Sequence, residues 1–148
     1  MLCQKTYSKG FTIVELIVVI AVFAVFMGIS QLGIMDYRVR GDVQTAAYNV
    51  VEALRHAKAN AEQVQDDSKW GVQINANQVI VFEGNSYATR NTNYDQVVTL
   101  PQGVTMGGLS EIVFEKVNGT TLNLGSITLT NNATVNTITI NAKGTITY

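Results

Sequence analysis

Residues 11–35 form a run of 25 residues whose only charged side chain is Glu15, and no other stretch of this chain constrains its fold so strongly. At about 1.5 Å per residue a helix over this run reaches ~38 Å, against ~30 Å for the hydrocarbon core of a bilayer. The run is therefore long enough to span. A carboxylate at the bilayer centre costs about 2.5 to 3.5 kcal/mol on insertion scales and less near the interface. Glu15 calls for a partner, a function, or a position snorkelled to the headgroups.

Charge on either side of the run sets its direction. Residues 1–10 carry Lys5 and Lys9 and no acid, while Asp36, Arg38, Arg40 and Asp42 follow the run. Positive charge ahead of the segment predicts a cytoplasmic N-terminus, a single pass, and an exported C-terminal portion. A secretory signal peptide is the alternative, with Gly28-Ile29-Ser30 as a small-x-small cleavage triplet. Against it, signal h-regions are about 7 to 15 apolar residues long and do not open on an acid.

The heptapeptide Gly10-Phe11-Thr12-Ile13-Val14-Glu15-Leu16 resembles the class III leader of type IV pilins and pseudopilins, in which a short basic leader ends in Gly, followed by Phe and, at the fifth mature position, Glu. The resemblance implies that a prepilin peptidase cuts between Gly10 and Phe11 and that the new N-terminal Phe11 is N-methylated. It further implies that the apolar helix joins the core of a filament, delivered from the inner membrane by an assembly platform. Partners would be the peptidase/methyltransferase, the lipid bilayer, and other pilin or pseudopilin subunits, with no cofactor. Physics supplies a separate role for Glu15. In a staggered bundle of such helices, the α-amino group of one Phe11 can approach a neighbour's Glu15, so that each buried charge has a partner and one axial register is favoured.

With the leader removed, 138 residues remain, of which 113 follow Met35, enough for one modest core. Eight basic and eleven acidic residues are left, a net charge of −3 before the termini, so charge does not support nucleic acid as a partner. Cys3, the only cysteine, lies in the leader, and the mature chain has no disulfide. Many pilins close a C-terminal loop with a disulfide, which favours a minor over a major subunit here. Many also carry a proline where this chain has Leu32, and Gly28 and Gly33 are the substitute weak points in the helix.

Over residues 42–64, Val43, Ala46, Ala47, Val50, Val51, Leu54, Ala57, Ala61 and Val64 recur in steps of three and four, predicting an amphipathic helix within 36–67. It continues the apolar helix, with an interruption near Gly41. Beyond residue 67 the period changes to two. Strands are expected at 69–74 and 78–82 as a hairpin, at 96–100, at 111–117 and 120–124 around Asn118-Gly119, and at 126–130, 136–141 and 145–148. Turns are expected at Asn131-Asn132 and Lys143-Gly144, and residues 83–95 read as a surface loop whose Tyr87, Arg90 and Tyr94 are open to a partner. The expected fold class is α+β: a long N-terminal membrane-spanning helix (11–35) running into an amphipathic helix (36–67) packed on an antiparallel β domain (68–148).

A narrower resemblance rests on Leu54-Arg55-His56-Ala57-Lys58 with Ala61 on the helix, Trp70-Gly71-Val72, Ile112-Val113-Phe114 before Asn118-Gly119, and Ile138-Thr139-Ile140-Asn141 before Gly144. This order is similar to that of the GspH/FimT-like pseudopilins and minor pilins. Some of these proteins use basic residues near the C-terminus in DNA uptake, but here only Lys143 stands near Gly144. No nucleophile motif, P-loop or Cys/His cluster occurs, and the lone His56 sits beside Arg55 on a solvated helix face. The expected function is thus non-enzymatic: a minor subunit of a type IV pilus or type II secretion pseudopilus. A filament-displayed binding subunit, in DNA uptake or adhesion, and an anchored protein unrelated to filaments are the alternatives.

Overall fold

A computed structural model describes residues 10–29, 34–131 and 134–148, in two compact units, Met1–Tyr37 and Arg38–Tyr148. The basic leader before Gly10, and with it Cys3, Lys5 and Lys9, lies outside the described residues, as do Leu32, Gly33 and Asn132.

In the first unit, helix α1 (Ile13–Ile29) is 17 residues long, about 26 Å at the usual rise. Residues 13–27 are exposed on every side, Ile13 at 77% and Phe26 at 67%. A helix that is apolar all round has no wet face, and it gains stability only where a bundle or a bilayer surrounds it. Thr12 caps α1 at its start, and residues 30–33 of the 25-residue run lie outside the described residues. Among the described residues no helix is long and apolar enough to cross a membrane.

Helix α2 (Ile34–Glu62) passes through Gly41 without the expected interruption. Eight of the nine positions expected on its apolar face, from Val43 to Ala61, are at most 1% exposed, and Ala53 joins them at 4%. The ninth, Val64, lies past the helix end in the left-handed region (φ 55°), where the chain turns through Asp66 and Asp67 into the sheet.

Two four-stranded antiparallel sheets follow. The first has the order β3-β2-β1-β5, built from β1 (Trp70–Asn75), β2 (Gln78–Glu83), β3 (Asn91–Thr99) and β5 (Glu111–Phe114). The second, β4-β6-β7-β8, contains β4 (Thr105–Gly108), β6 (Gly125–Asn131), β7 (Thr134–Ile140) and β8 (Ile146–Thr147). Trp70, Val72, Val79, Val81, Ile112 and Phe114 from the first sheet and Ile127, Leu129 and Ile138 from the second share one core with the α2 face. The α+β architecture expected from the sequence is therefore present, with α2 packed on antiparallel sheets.

Three local expectations change. Asn118-Gly119 does not close a two-strand hairpin: β5 stops at Phe114, and Thr121 makes only an isolated bridge to it. Instead the Val117 N–H donates to the Ala61 carbonyl at 3.0 Å, beside the Val64 N–H at 3.2 Å, so that a carbonyl at the helix end has two partners. Next, β3 begins at Asn91, inside the stretch read as a loop. Finally, β4 was not anticipated, because two glycines in Thr105–Gly108 remove the side-chain signal of a strand. The Lys143-Gly144 turn does form, with Asn141 Oδ1 accepting from Lys143 N at 3.0 Å and Thr145 N at 2.9 Å.

One glycine is demanded by packing. A Cβ on Gly71 would stand 2.5 Å from the Phe82 ring and 2.8 Å from the Ile112 carbonyl, so the aromatic ring uses the space the missing side chain leaves.

Candidate functional site

Gly10, Phe11 and Thr12 precede the first helical residue, and the next turn holds Glu15. Thr12 is the N-cap. Its Oγ1 accepts from the Glu15 N–H at 3.3 Å, and its carbonyl accepts from Leu16 N at 3.2 Å, closing the first turn. Thr-x-x-Glu before an apolar run is the spacing of a capping box, a signal legible in the sequence itself. Glu15 therefore has two physical reasons for its place. At N3 its carboxylate faces the partial positive charge of the helix start, worth about 0.3 to 1 kcal/mol. The same carboxylate, exposed and with no ion-pair partner among the described residues, remains available to a cation from another molecule.

The cap also shapes what lies before it. Because helical hydrogen bonding begins at the Thr12 carbonyl, the Gly10–Phe11 bond lies outside the helix. Phe11 is 85% exposed. A Cβ placed on Gly10 would meet no atom within 4 Å, so nothing described in the chain itself demands glycine there.

In the second unit, Tyr87, Arg90 and Tyr94 each contact side chains of their own unit. Tyr87 stacks edge-on against Phe82, Arg90 lies 3.8 Å from the Tyr87 ring centroid, and Arg90 Nε reaches both Asp95 oxygens at 2.9 Å. Tyr94 meets Trp70 edge-on at 6.0 Å. Its phenol is held above the usual range, first by the nearby Asp66 carboxylate, then by burial and by Glu83. His56 is exposed on α2 and borders a groove of about 260 Å³ toward β3. Among the described residues no three His, Cys, Asp or Glu side chains come together as metal ligands.

Residues 5–30 match the family model described as the prokaryotic N-terminal methylation motif. The matched stretch contains Gly10, Phe11, Thr12, Glu15 and all of α1, and ends before α2. The chain carries a type IV prepilin-like leader. This supports the type IV pilin superfamily, with processing by prepilin peptidase and assembly with other pilins as the implied course. Searches of curated proteins and of solved structures found no match to the chain.

Proposed function

We propose that this chain is a minor structural subunit of a type IV pilus or type II secretion pseudopilus, of the GspH/FimT-like kind, and that it is not an enzyme. The observation that carries the reading is the coincidence of the methylation motif with a helix exposed and apolar on every side. In this reading prepilin peptidase cuts after Gly10, Phe11 is methylated, and residues 11–35 anchor the subunit in the inner membrane with its β domain exported. The helix then passes from lipid into the filament core. The absence of a cysteine after Cys3 supports a minor rather than a disulfide-looped major subunit.

Glu15 has the assembly role, pairing with the Phe11 amine of the next subunit. Glu15→Ala and Glu15→Gln are both expected to be processed and to remain in membranes, yet to be missing from sheared filaments. Removing one member of a buried ion pair costs about 3 to 5 kcal/mol. Glu15→Gln also leaves the backbone bond to Thr12 in place, which separates charge from capping. Wild-type incorporation of Glu15→Gln would leave Glu15 only its place in the first turn of α1 and remove the assembly role.

A further inference from the structure

The longest exposed strand edge in the described chain belongs to β3. It has nine residues, whereas the other edge strands, β5, β4 and β8, have four, four and two. No described strand pairs with its outer side. Exposed edges are usually blunted by lysine, proline, an inward charge or a bulge; Asn91–Thr99 has no lysine or proline, its single charge, Asp95, is tied to Arg90, and the register shift against β2 between Val81 and Glu83 leaves Gln96–Thr99 in regular pairing. By contrast β5 is partly covered, since Asn123 Oδ1 accepts from Val113 N at 3.1 Å.

The helix-side flank of β3 has a definite chemistry. Val98 and Gln96 pair with Val79 and Val81, whose side chains lie in the core under α2, so they share that face. There they border the 260 Å³ groove, floored by Ala53, Val81 and Val98. Four residues before Val98, past the register shift between Val81 and Glu83, Tyr94 meets the Trp70 ring and lies near Asp66 and Glu83. Glu83 stands opposite Trp70 in the register, is only 8% exposed, and its Oε2 has no hydrogen-bond partner. Trp70 donates from Nε1 to the Gln65 carbonyl at 3.2 Å, which brings the exposed Asp66 to the same place. The cations nearby are committed elsewhere, Lys69 to Glu115, Lys116 to Asp67 and Arg90 to Asp95. Asp66 and Glu83 form no ion pair among the described residues.

We propose that β3 is a docking edge for an extended segment of a different polypeptide, which adds as a further strand and carries an apolar side chain and, four residues away on the same face, a lysine or arginine. Main-chain hydrogen bonds along β3 give the affinity, and alternate side chains give the choice of partner. The apolar side chain fills the groove over Ala53 and Val98. The basic one meets Asp66 and, behind the Tyr94 ring, Glu83, where aromatic faces and carboxylates both favour a cation. A second copy of this chain fits poorly: its remaining edges are short, and on its own β3 no basic side chain is present. The inference rests on the β domain alone and stands apart from the leader.

The test uses the full chain in detergent micelles and the blocked peptide Thr-Val-Thr-Thr-Thr-Lys-Thr, whose Val and Lys lie on one face four residues apart. Hydrogen exchange should slow in residues 91–99, and the same peptide with Glu in place of Lys should bind at least about tenfold more weakly, the scale of one favourable charge contact. Asp66→Asn, at an exposed turn that does not endanger the core, should shrink that preference, and Asp66→Asn with Glu83→Gln should abolish it. Gln96→Tyr, which fills the groove, should weaken both peptides alike. Unchanged exchange at 91–99 with about millimolar peptide, or equal binding of the two peptides to the wild-type chain, would overturn the proposal. Protection of 91–99 that rises with protein concentration and needs no peptide would overturn it too, since the occupant would then be a second copy.

Discussion

Helices α1 and α2 are close in sequence and opposite in their physical needs. Between Val43 and Ala61, α2 presents small apolar residues on one face and closes a core with both sheets, so its packing is complete within the chain. The α1 helix presents Ile, Val, Leu and Phe in all directions, and residues 13–27 are exposed. A helix of the first kind belongs to a fold. One of the second kind belongs to an assembly or a membrane, because burying all its sides takes neighbours on every side. The single acid of α1 stands at its head, within the stretch matched by the N-terminal methylation motif.

The contrast breaks most visibly by cutting between the two units. A chain beginning at Arg38 is expected to stay soluble without detergent and keep the α+β signature in far-UV circular dichroism, whereas the longer chain needs detergent or lipid. Loss of structure in the shortened chain would mean that the first unit is part of the fold.

A second contrast sets equivalent deletions side by side. Leu54→Ala, at a fully buried α2 position, should cost about 2 to 5 kcal/mol in chemical denaturation of the β domain. Val22→Ala on α1, where the residue is 49% exposed, should leave that transition unmoved. Equal effects would erase the distinction drawn here.

Smaller still is the expected effect of Thr12→Ala. Loss of the cap should weaken the first turn of α1 by about 0.5 to 2 kcal/mol, read as faster amide exchange at residues 13–16 with no change in the β domain. Unaltered exchange there would show that Thr12 does not set the helix start.

Much of this contrast was legible in the sequence, because both helices announce themselves by where their apolar residues fall. The period of 3.6 in α2 named its buried face nearly residue by residue, and Val64 failed only because it lies past the helix end. Alternation likewise found β1, β2, β6 and β7. What the sequence hid were features decided by distant partners. Asn118-Gly119 carries a strong hairpin signal, yet the Val117 N–H goes to the α2 end. The first half of β3 is polar and exposed, so it has no buried face to mark it as a strand. At the candidate site, Gly10, Phe11 and Glu15 were readable as a motif, while the capping role of Thr12 became plain only with its bond to Glu15 N. The buried Glu83 had no sequence signature, since its environment is assembled from Trp70, Tyr94 and the turn at Asp66.

Cleavage at its head would prepare the apolar helix for assembly, and the intact mass of the native protein, confirmed by N-terminal sequencing, reads that cleavage. The expected product has lost residues 1–10 and begins at Phe11 bearing one N-methyl group. A chain that still begins at Met1, or one cut after Ser30 and beginning at Gln31, would rule out assembly through this helix, the second by removing α1 altogether as a signal peptide.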